Sequence, residues 1–266
     1  IPLETILRVY AKWVEKVQQG LTFSYDAENM VYTVTGYQGT ETEITIPSVY
    51  MTKPVTAIAA NAFSQNKTIV TIFVPASITA IGTDAFSKCS ALTTIIVAES
   101  NTVYRSLDGI LYNNDISHLI VCPAGKTGAV VIPDSVTEID MMAFDVCTKI
   151  TSLKFGSGIT EIENMQFKGL TAMTTLIISD SVRYIRGYAF YSSTNLSSVI
   201  IGKRVTTIEE SAFEGTALTT VYYNGTSSGW SAITIGKNNT ELNSSTVYYY
   251  LDTEPTQAGN YWHYVE

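Results

Sequence analysis

Charge is scarce in this 266-residue chain: Lys, Arg, Asp and Glu together make up 15% of it, and acidic residues outnumber basic ones 24 to 16. A net charge of −8 leaves no cationic excess from which to build a nucleic-acid-binding face. It equally excludes a polybasic membrane anchor. Histidine is limited to His118 and His263, and cysteine to Cys89, Cys122 and Cys147. Neither histidine has a metal-ligand partner at close spacing and no two cysteines form CxxC, so no metal site or metal cofactor is expected. Three cysteines in a chain of this length do not make a disulfide scaffold. No run reaches the roughly 18 uninterrupted apolar residues of a transmembrane helix, so no membrane insertion is expected. Apolar residues still make up 45% of the chain, which argues against disorder over most of its length. The chain opens at Ile1 without an initiator Met or a signal peptide, the form expected of a mature or trimmed protein.

What the chain does have is a period. Ala-Phe ends at Phe63, Phe86, Phe144, Phe190 and Phe213, with Gln-Phe at Phe167, and the successive steps are 23, 58, 23, 23 and 23. Five residues before each Phe stands an isoleucine: Ile58, Ile81, Ile139, Ile162, Ile185 and Ile208. Nine residues after come Ile72, Ile95, Leu153, Leu176 and Val199, and eleven after come Val74, Val97, Phe155, Ile178 and Ile201. A last, shortened coil offers Leu218, Val221 and Tyr223. Columns in register at a 20–50-residue period are the mark of a solenoid. The +9 and +11 residues lie on one side of a short strand and, being apolar in every coil, face the interior. One coil holds too little apolar surface to fold alone, so stacked neighbours complete the core.

The 58-residue step contains two periods and twelve extra residues. Within it residues 119–123 (LIVCP) and 130–133 (VVIP) both read as the strand motif, and residues 107–114 alternate and turn like a hairpin. These predict irregular coils that bulge from the solenoid without breaking it.

The pattern resembles the BspA-like leucine-rich-repeat family. The resemblance rests on IPDSVTEIDMMAF (132–144), VPASITAIGTDAFSKCSALTTI (74–95) and ISDSVRYIRGYAF (178–190). It extends to SLDGILYNN (106–114) with LIVCPAGK (119–126), to VYYNGTSSGWSAI (221–233) and to GNYWHYV (259–265). The family implies a leucine-rich-repeat solenoid with an inner parallel sheet, exported and cell-associated, found in bacteria and some protists. Its best-known members are adhesins for host extracellular proteins, and it assigns no catalytic residue to the repeat.

A solenoid needs caps at its ends. Leu3, Ile6, Leu7, Tyr10, Trp13, Val14 and Val17 follow helical spacing, with Pro2 near the start and Gly20 as the stop. The polar face of that helix, Glu4, Arg8, Lys12, Glu15 and Lys16, is mixed in charge, which favours a cap or linker over a membrane-surface helix. Residues 21–25 and 30–34 flank Asp26-Ala-Glu-Asn29 as a hairpin. At the other end Tyr248, Tyr249, Tyr250, Tyr261, Trp262 and Tyr264 read as a closing aromatic hairpin, or alternatively as a platform on which sugars stack.

Three motifs carry little chemistry. Gly225-Thr-Ser-Ser-Gly229, with Asp252 and His263 after it, has the letters and order of a serine hydrolase but not the βαβ frame that makes a nucleophile elbow. Gly125-Lys-Thr127 lacks the earlier glycine of a phosphate loop, since Ile120 stands there. Cys89 and Cys147 occupy equivalent repeat positions and read as small packing residues.

The outward +10 column is more informative. It runs Thr45, Phe73, Ile96, Ile120, Val131, Lys154, Ile177, Ile200, Tyr222, and seven of these nine are apolar or aromatic where a solvated face would be polar. The flanking +8 column holds small hydroxyls, Thr71, Thr94, Ser152, Thr175 and Ser198. Two readings stand: a stripe for an extended protein partner, made of Phe73, Ile96, Ile120, Val131, Ile177, Ile200 and Tyr222, or β-branched residues favoured by strands and shielding each other.

The expectation is therefore one β-rich α/β leucine-rich-repeat solenoid of 23-residue coils. A helix spans 1–20, a cap hairpin and first coil 21–57, and the solenoid 58–223 with irregular coils at 99–130. A cap closes it over 224–266. Function is expected to be non-enzymatic: extracellular or cell-surface binding of an extracellular protein, in adhesion to host or neighbouring cells, with no cofactor and no catalytic residue. A glycan-binding module is the main alternative, a serine hydrolase comes third, and a structural spacer is a further alternative.

Overall fold

A computed structural model of the chain describes residues 19–254 and 259–263, so the helix expected over 1–20 lies, but for its last two positions, outside the described residues. The described chain forms two compact units, residues 19–115 with 120–125, and residues 116–119 with 126–254 and 259–263. Both are built from coils of two short strands, one in a main parallel sheet and one on the returning half.

In the first unit the hairpin Leu21–Asp26 and Val31–Tyr37 is antiparallel, and Val31–Tyr37 then pairs in parallel with Lys53–Ile58. The Asp26 carboxylate closes the turn by accepting from the side chain of Asn29 and the N–H groups of Asn29 and Glu28, which holds its pKa below the ordinary value. Glu43–Thr45, Thr71–Val74 and Thr94–Val97 make the main parallel sheet, with Ile44, Ile72 and Ile95 in register and buried. Alternation explains the strands: Thr71–Val74 is half-buried and buried by turns, as period-two patterning requires. Phe63 and Phe86 stack with ring centroids 5.7 Å apart beneath them.

The next neighbour of Thr94–Val97 within this unit is not another coil but the antiparallel hairpin Tyr104–Leu107 and Ile110–Asn113. Asp108 and Gly109 at its tip both have positive φ, the geometry of a two-residue turn that suits strand twist. The N–H groups of Ile95 and Val97 donate to the Gly109 carbonyl and the Ser106 hydroxyl, each at 2.9 Å, so the sheet edge is satisfied by the hairpin.

In the second unit seven strands form one main sheet in the order Gly128–Val131, Ile150–Lys154, Thr175–Ile177, Ser198–Ile201, Thr220–Tyr223, Thr246–Tyr250, Tyr261–Trp262. Val130, Leu153, Leu176, Val199 and Val221 are register partners and all but sealed from solvent. Behind them Phe144, Phe167, Phe190 and Phe213 form a ladder with centroid spacings of 4.9, 5.7 and 5.3 Å. The returning strands Glu161–Ile162, Tyr184–Ile185, Thr207–Ile208 and Thr234–Ile235 make a second parallel sheet. There Arg186 pairs with Glu161 and Glu209 and lies over the Tyr184 ring.

Two expectations need correction. The motif at 119–123 is a strand, His118–Val121, but His118 and Leu119 pair with Glu138 and Ile139 of a returning segment. Ile120 therefore belongs to no register of either main sheet and packs instead, half-buried, against the buried cluster of the first unit. The motif misleads because returning and main-sheet strands are both short apolar runs. The aromatic tail, too, is not a hairpin: Thr246–Tyr250 pairs in parallel with Thr220–Tyr223, and Tyr261–Trp262 pairs in parallel with Thr246–Tyr250.

Neighbouring coils are also joined by a feature the repeat columns do not display. Asn61, Asp84, Met165, Tyr188 and Ser211, two residues before the Phe column, have φ near +58°. So do Gln65, Lys88, Val146 and Ser192, two residues after it, in the column shared with Gly169 and Gly215. These left-handed turns aim alternate N–H groups at the next coil: Met165, Phe167 and Gly169 donate to the carbonyls of Gly187, Ala189 and Tyr191 at 3.2, 3.0 and 2.8 Å. At the last coil the acceptors are partly side chains, since Phe213 N–H donates to Asn239 Oδ1 and Gly215 N–H to Glu241 Oε1, both at 3.0 Å.

Candidate functional site

Register places the outward residues of the second unit in one line. Val131, Lys154, Ile177, Ile200, Tyr222 and Tyr248 are successive Cα partners across six strands. At the ~4.8 Å spacing of paired strands the line is about 24 Å long. Beside it run Ser152, Thr175, Ser198, Thr220 and Thr246, also successive partners, which turn a row of hydroxyls to the same face. Val131 is 60% exposed and the other apolar members are half-buried, whereas their neighbours one residue back, from Val130 to Val221, are buried and only Val247 behind Tyr248 is half-buried. The column is thus surface in which each member is shielded only by the next. Lys154 interrupts it with a positive charge.

The structure joins two features that lie far apart in the sequence. Tyr222 of the repeat stacks on Tyr248 of the tail, centroids 5.5 Å apart, and meets Trp262 edge-on at 5.4 Å. Trp262 in turn meets Tyr250 at 5.4 Å and donates its indole N–H to the Tyr223 carbonyl at 3.1 Å. The stripe ends in an aromatic cluster because the tail adds strands to the sheet instead of folding back. Tyr248, Tyr250 and Trp262 can be found in the sequence as tail aromatics, but nothing there puts them beside Tyr222.

In the first unit the outward column is short: Thr45, Phe73 and Ile96 are register partners, and Ile96 is 38% exposed. Glu43, Thr71 and Thr94 flank them on the same face. Ile120, predicted for the stripe, is not brought to either column.

The catalytic and phosphate readings find no frame. Ser227 opens the five-residue helix Ser227–Ser231, N-capped by Thr226, and no hydrogen bond joins Ser227 to Asp252 or His263 among the described residues. Gly125 donates its N–H to the Leu92 carbonyl at 2.7 Å, and a side chain there would collide with that backbone, so this glycine serves packing. Cys89 is buried with its Sγ 2.9 Å from the Phe63 carbonyl, and burial pushes its thiol up to about 11, which keeps it protonated and inert. Burial also raises the Tyr223 phenol, with the Asp180 charge adding to it, and its hydroxyl donates to the Lys203 carbonyl at 3.2 Å. His118 Nε2 lies 2.8 Å from Asp140 Oδ1, tying a returning strand to its neighbour. No helix among the described residues is long and apolar enough to cross a membrane.

Solved structures share this fold at low sequence identity. The pneumococcal vaccine antigen PcpA matches with a TM-score of 0.56 at 19% identity over 80% of this chain, which spans 57% of that protein's solved length. A leucine-rich repeat protein from Eubacterium ventriosum matches with 0.50 at 15% identity, covering 92% of this chain and 96% of that one. One from Bacteroides ovatus gives 0.50 at 18%, over 88% and 70%. No curated protein matches the chain. The BspA type leucine rich repeat region matches in six copies over residues 41–127 and 122–245. With the coil geometry and that match over most of its length, the chain belongs to the BspA-type leucine-rich repeat family.

Proposed function

We propose that this protein is a non-enzymatic binding module, carried outside the cell or on its surface, that holds an extracellular protein against the outward face of its main sheets and so serves adhesion to host or neighbouring cells. The observation that carries the reading is the unbroken register from Val131 to Tyr248, a line edged by hydroxyls that is apolar or aromatic at every member but Lys154 and continuously so from Ile177 to Tyr248. Such a line offers an extended segment apolar contact along its length and hydrogen bonds along one side. Monomeric soluble proteins rarely leave contiguous apolar surface of this kind without a partner. The extracellular placement is supported by the family resemblance and by the acidic, lysine-poor composition.

The test is an array of extracellular-matrix proteins probed with the intact chain and with Ile177→Ser combined with Ile200→Ser. Each substitution removes about 1–3 kcal/mol of apolar contact at the interface, so the double variant binds its captured protein at least tenfold more weakly. The thermal midpoint moves little, because both side chains are half-buried on the outward face. Unchanged binding sinks the reading. So does a large fall in midpoint, which would make the column part of the core. Phe73→Ser asks the same question of the first unit.

A further inference from the structure

We infer that the C-terminal end of the second unit carries a saccharide site, distinct from the protein-binding stripe and meeting it only through Tyr250 of the aromatic cluster in which the stripe ends. Where Thr246–Tyr250 and Tyr261–Trp262 end beside the start of the helix Ser227–Ser231, a cleft of about 260 Å³ opens between Thr226, Ser227, Tyr249, Tyr250, Asn260 and Tyr261. Its position follows from the fold: Tyr249 N–H donates to the Asn260 carbonyl at 2.8 Å and Tyr250 N–H to the Gly225 carbonyl at 3.2 Å, so three separate segments meet at one rim.

The lining has the chemistry that recognises a sugar ring. Tyr261 is 39% exposed, and Tyr249 and Tyr250 are half-buried, so aromatic surface faces the opening. Flat rings accept the apolar C–H face of a pyranose while their hydroxyl tips stay wet. Around them stand polar side chains. The hydroxyls of Ser227, Tyr249 and Tyr261 and the side-chain amide of Asn260 make no hydrogen bond among the described residues. A hydroxyl both donates and accepts and an amide does each at opposite ends, so the set matches ring hydroxyls of any orientation. Among the described residues no Asp, Glu, Lys or Arg lines the cleft, which favours a neutral ligand over a phosphate or a sialic acid. The volume falls just under the ~300–1,000 Å³ of sites for drug-sized molecules, which suits one or two sugar rings.

Saturation-transfer NMR on the intact chain tests this, with methyl β-glucoside, methyl β-galactoside, N-acetylglucosamine and the disaccharides cellobiose, lactose and chitobiose as probes and sialic acid as the charged comparator. At least one neutral probe binds saturably, with the strongest transfer to its ring C–H protons, and sialic acid binds more weakly. Tyr261→Ala and Asn260→Ala each weaken the bound probe about tenfold. Ser227→Ala weakens it less and leaves the fold alone, since Thr226 and not Ser227 caps the helix. Should Tyr261→Ala unfold, Asn260→Ala and Ser227→Ala carry the test. Ile177→Ser leaves sugar binding unchanged, which separates this site from the stripe. Absence of saturable binding by every neutral probe, or binding that ignores both Asn260→Ala and Ser227→Ala, overturns the proposal.

Discussion

Val146 shows what one residue gives up to the repeat. Its φ is +54°, in a column where Gly169 and Gly215 reach the same region freely. A β-branched side chain crowds the backbone there, and the left-handed conformation costs an ordinary residue on the order of 1–2 kcal/mol. In two other coils the same turn points backbone donors at the next coil, with Gln65 and Ser192 N–H donating to the carbonyls of Ser87 and Glu214. Val146→Gly therefore raises stability by about 1 kcal/mol, after the added flexibility of the unfolded chain is counted. A thermal melt reads this as a midpoint gain of roughly 2–4 °C. A midpoint that stays put or falls would show that Val146 carries no strain. The column gave no warning in the sequence, because Gln, Lys, Val and Ser occupy it as readily as Gly. What selects the conformation is the interface with the next coil, not the residue type.

At the scale of the element, the end of the second unit is closed by side chains that imitate backbone. Phe190 N–H donates to the Ala212 carbonyl, and Phe213 N–H has the Asn239 side-chain carbonyl in the corresponding place. The Asn239 amide nitrogen then donates to the Glu209 and Gly236 carbonyls at 2.9 and 3.0 Å, so a residue only 1% exposed is fully used. Asn239→Ala leaves a buried donor and buried acceptors without partners and destabilises the unit by about 2–4 kcal/mol. Asn239→Asp does not rescue it, because a carboxylate turned to two carbonyls repels them. Denaturant melts of the two variants, with hydrogen exchange at the Phe213 amide, check this. A loss below about 0.5 kcal/mol, the range of ordinary surface changes, would mean that the ladder does not need its cap. Gly202 illustrates the same closeness of coils, since a Cβ there would lie 2.2 Å from the Ser179 carbonyl oxygen.

For the molecule as a whole, stability is shared between neighbours. Phe167 stands between Phe144 and Phe190 in the ladder and meets Phe155 edge-on at 5.1 Å, so four side chains from successive coils depend on one another. Phe167→Ala opens a cavity worth about 3–5 kcal/mol. Because stacked repeats interact with nearest neighbours, the loss of hydrogen-exchange protection concentrates in residues 150–201 and fades towards Thr246–Tyr250. An even loss along the second unit would show that it unfolds as one block. The same nearest-neighbour logic produces the surface stripe. Equivalent positions in successive coils fall in one line, so a modest preference at one column becomes a long continuous face.

The sequence by itself determined the period, the buried columns and the alternation of inward and outward residues. Each depends only on repeated local patterning, which stacked coils reproduce without outside help. It did not place Ile120, whose short apolar run suits either sheet until pairing with Glu138 and Ile139 decides between them. Nor did it reveal that the tail enters the sheet in parallel, bringing Trp262 to Tyr222, or that Asn239 and Glu241 stand in for a missing coil. Those features were decided by the tertiary structure, because each is a choice among hydrogen-bonding partners distant in the chain, and only the folded chain shows which are within reach.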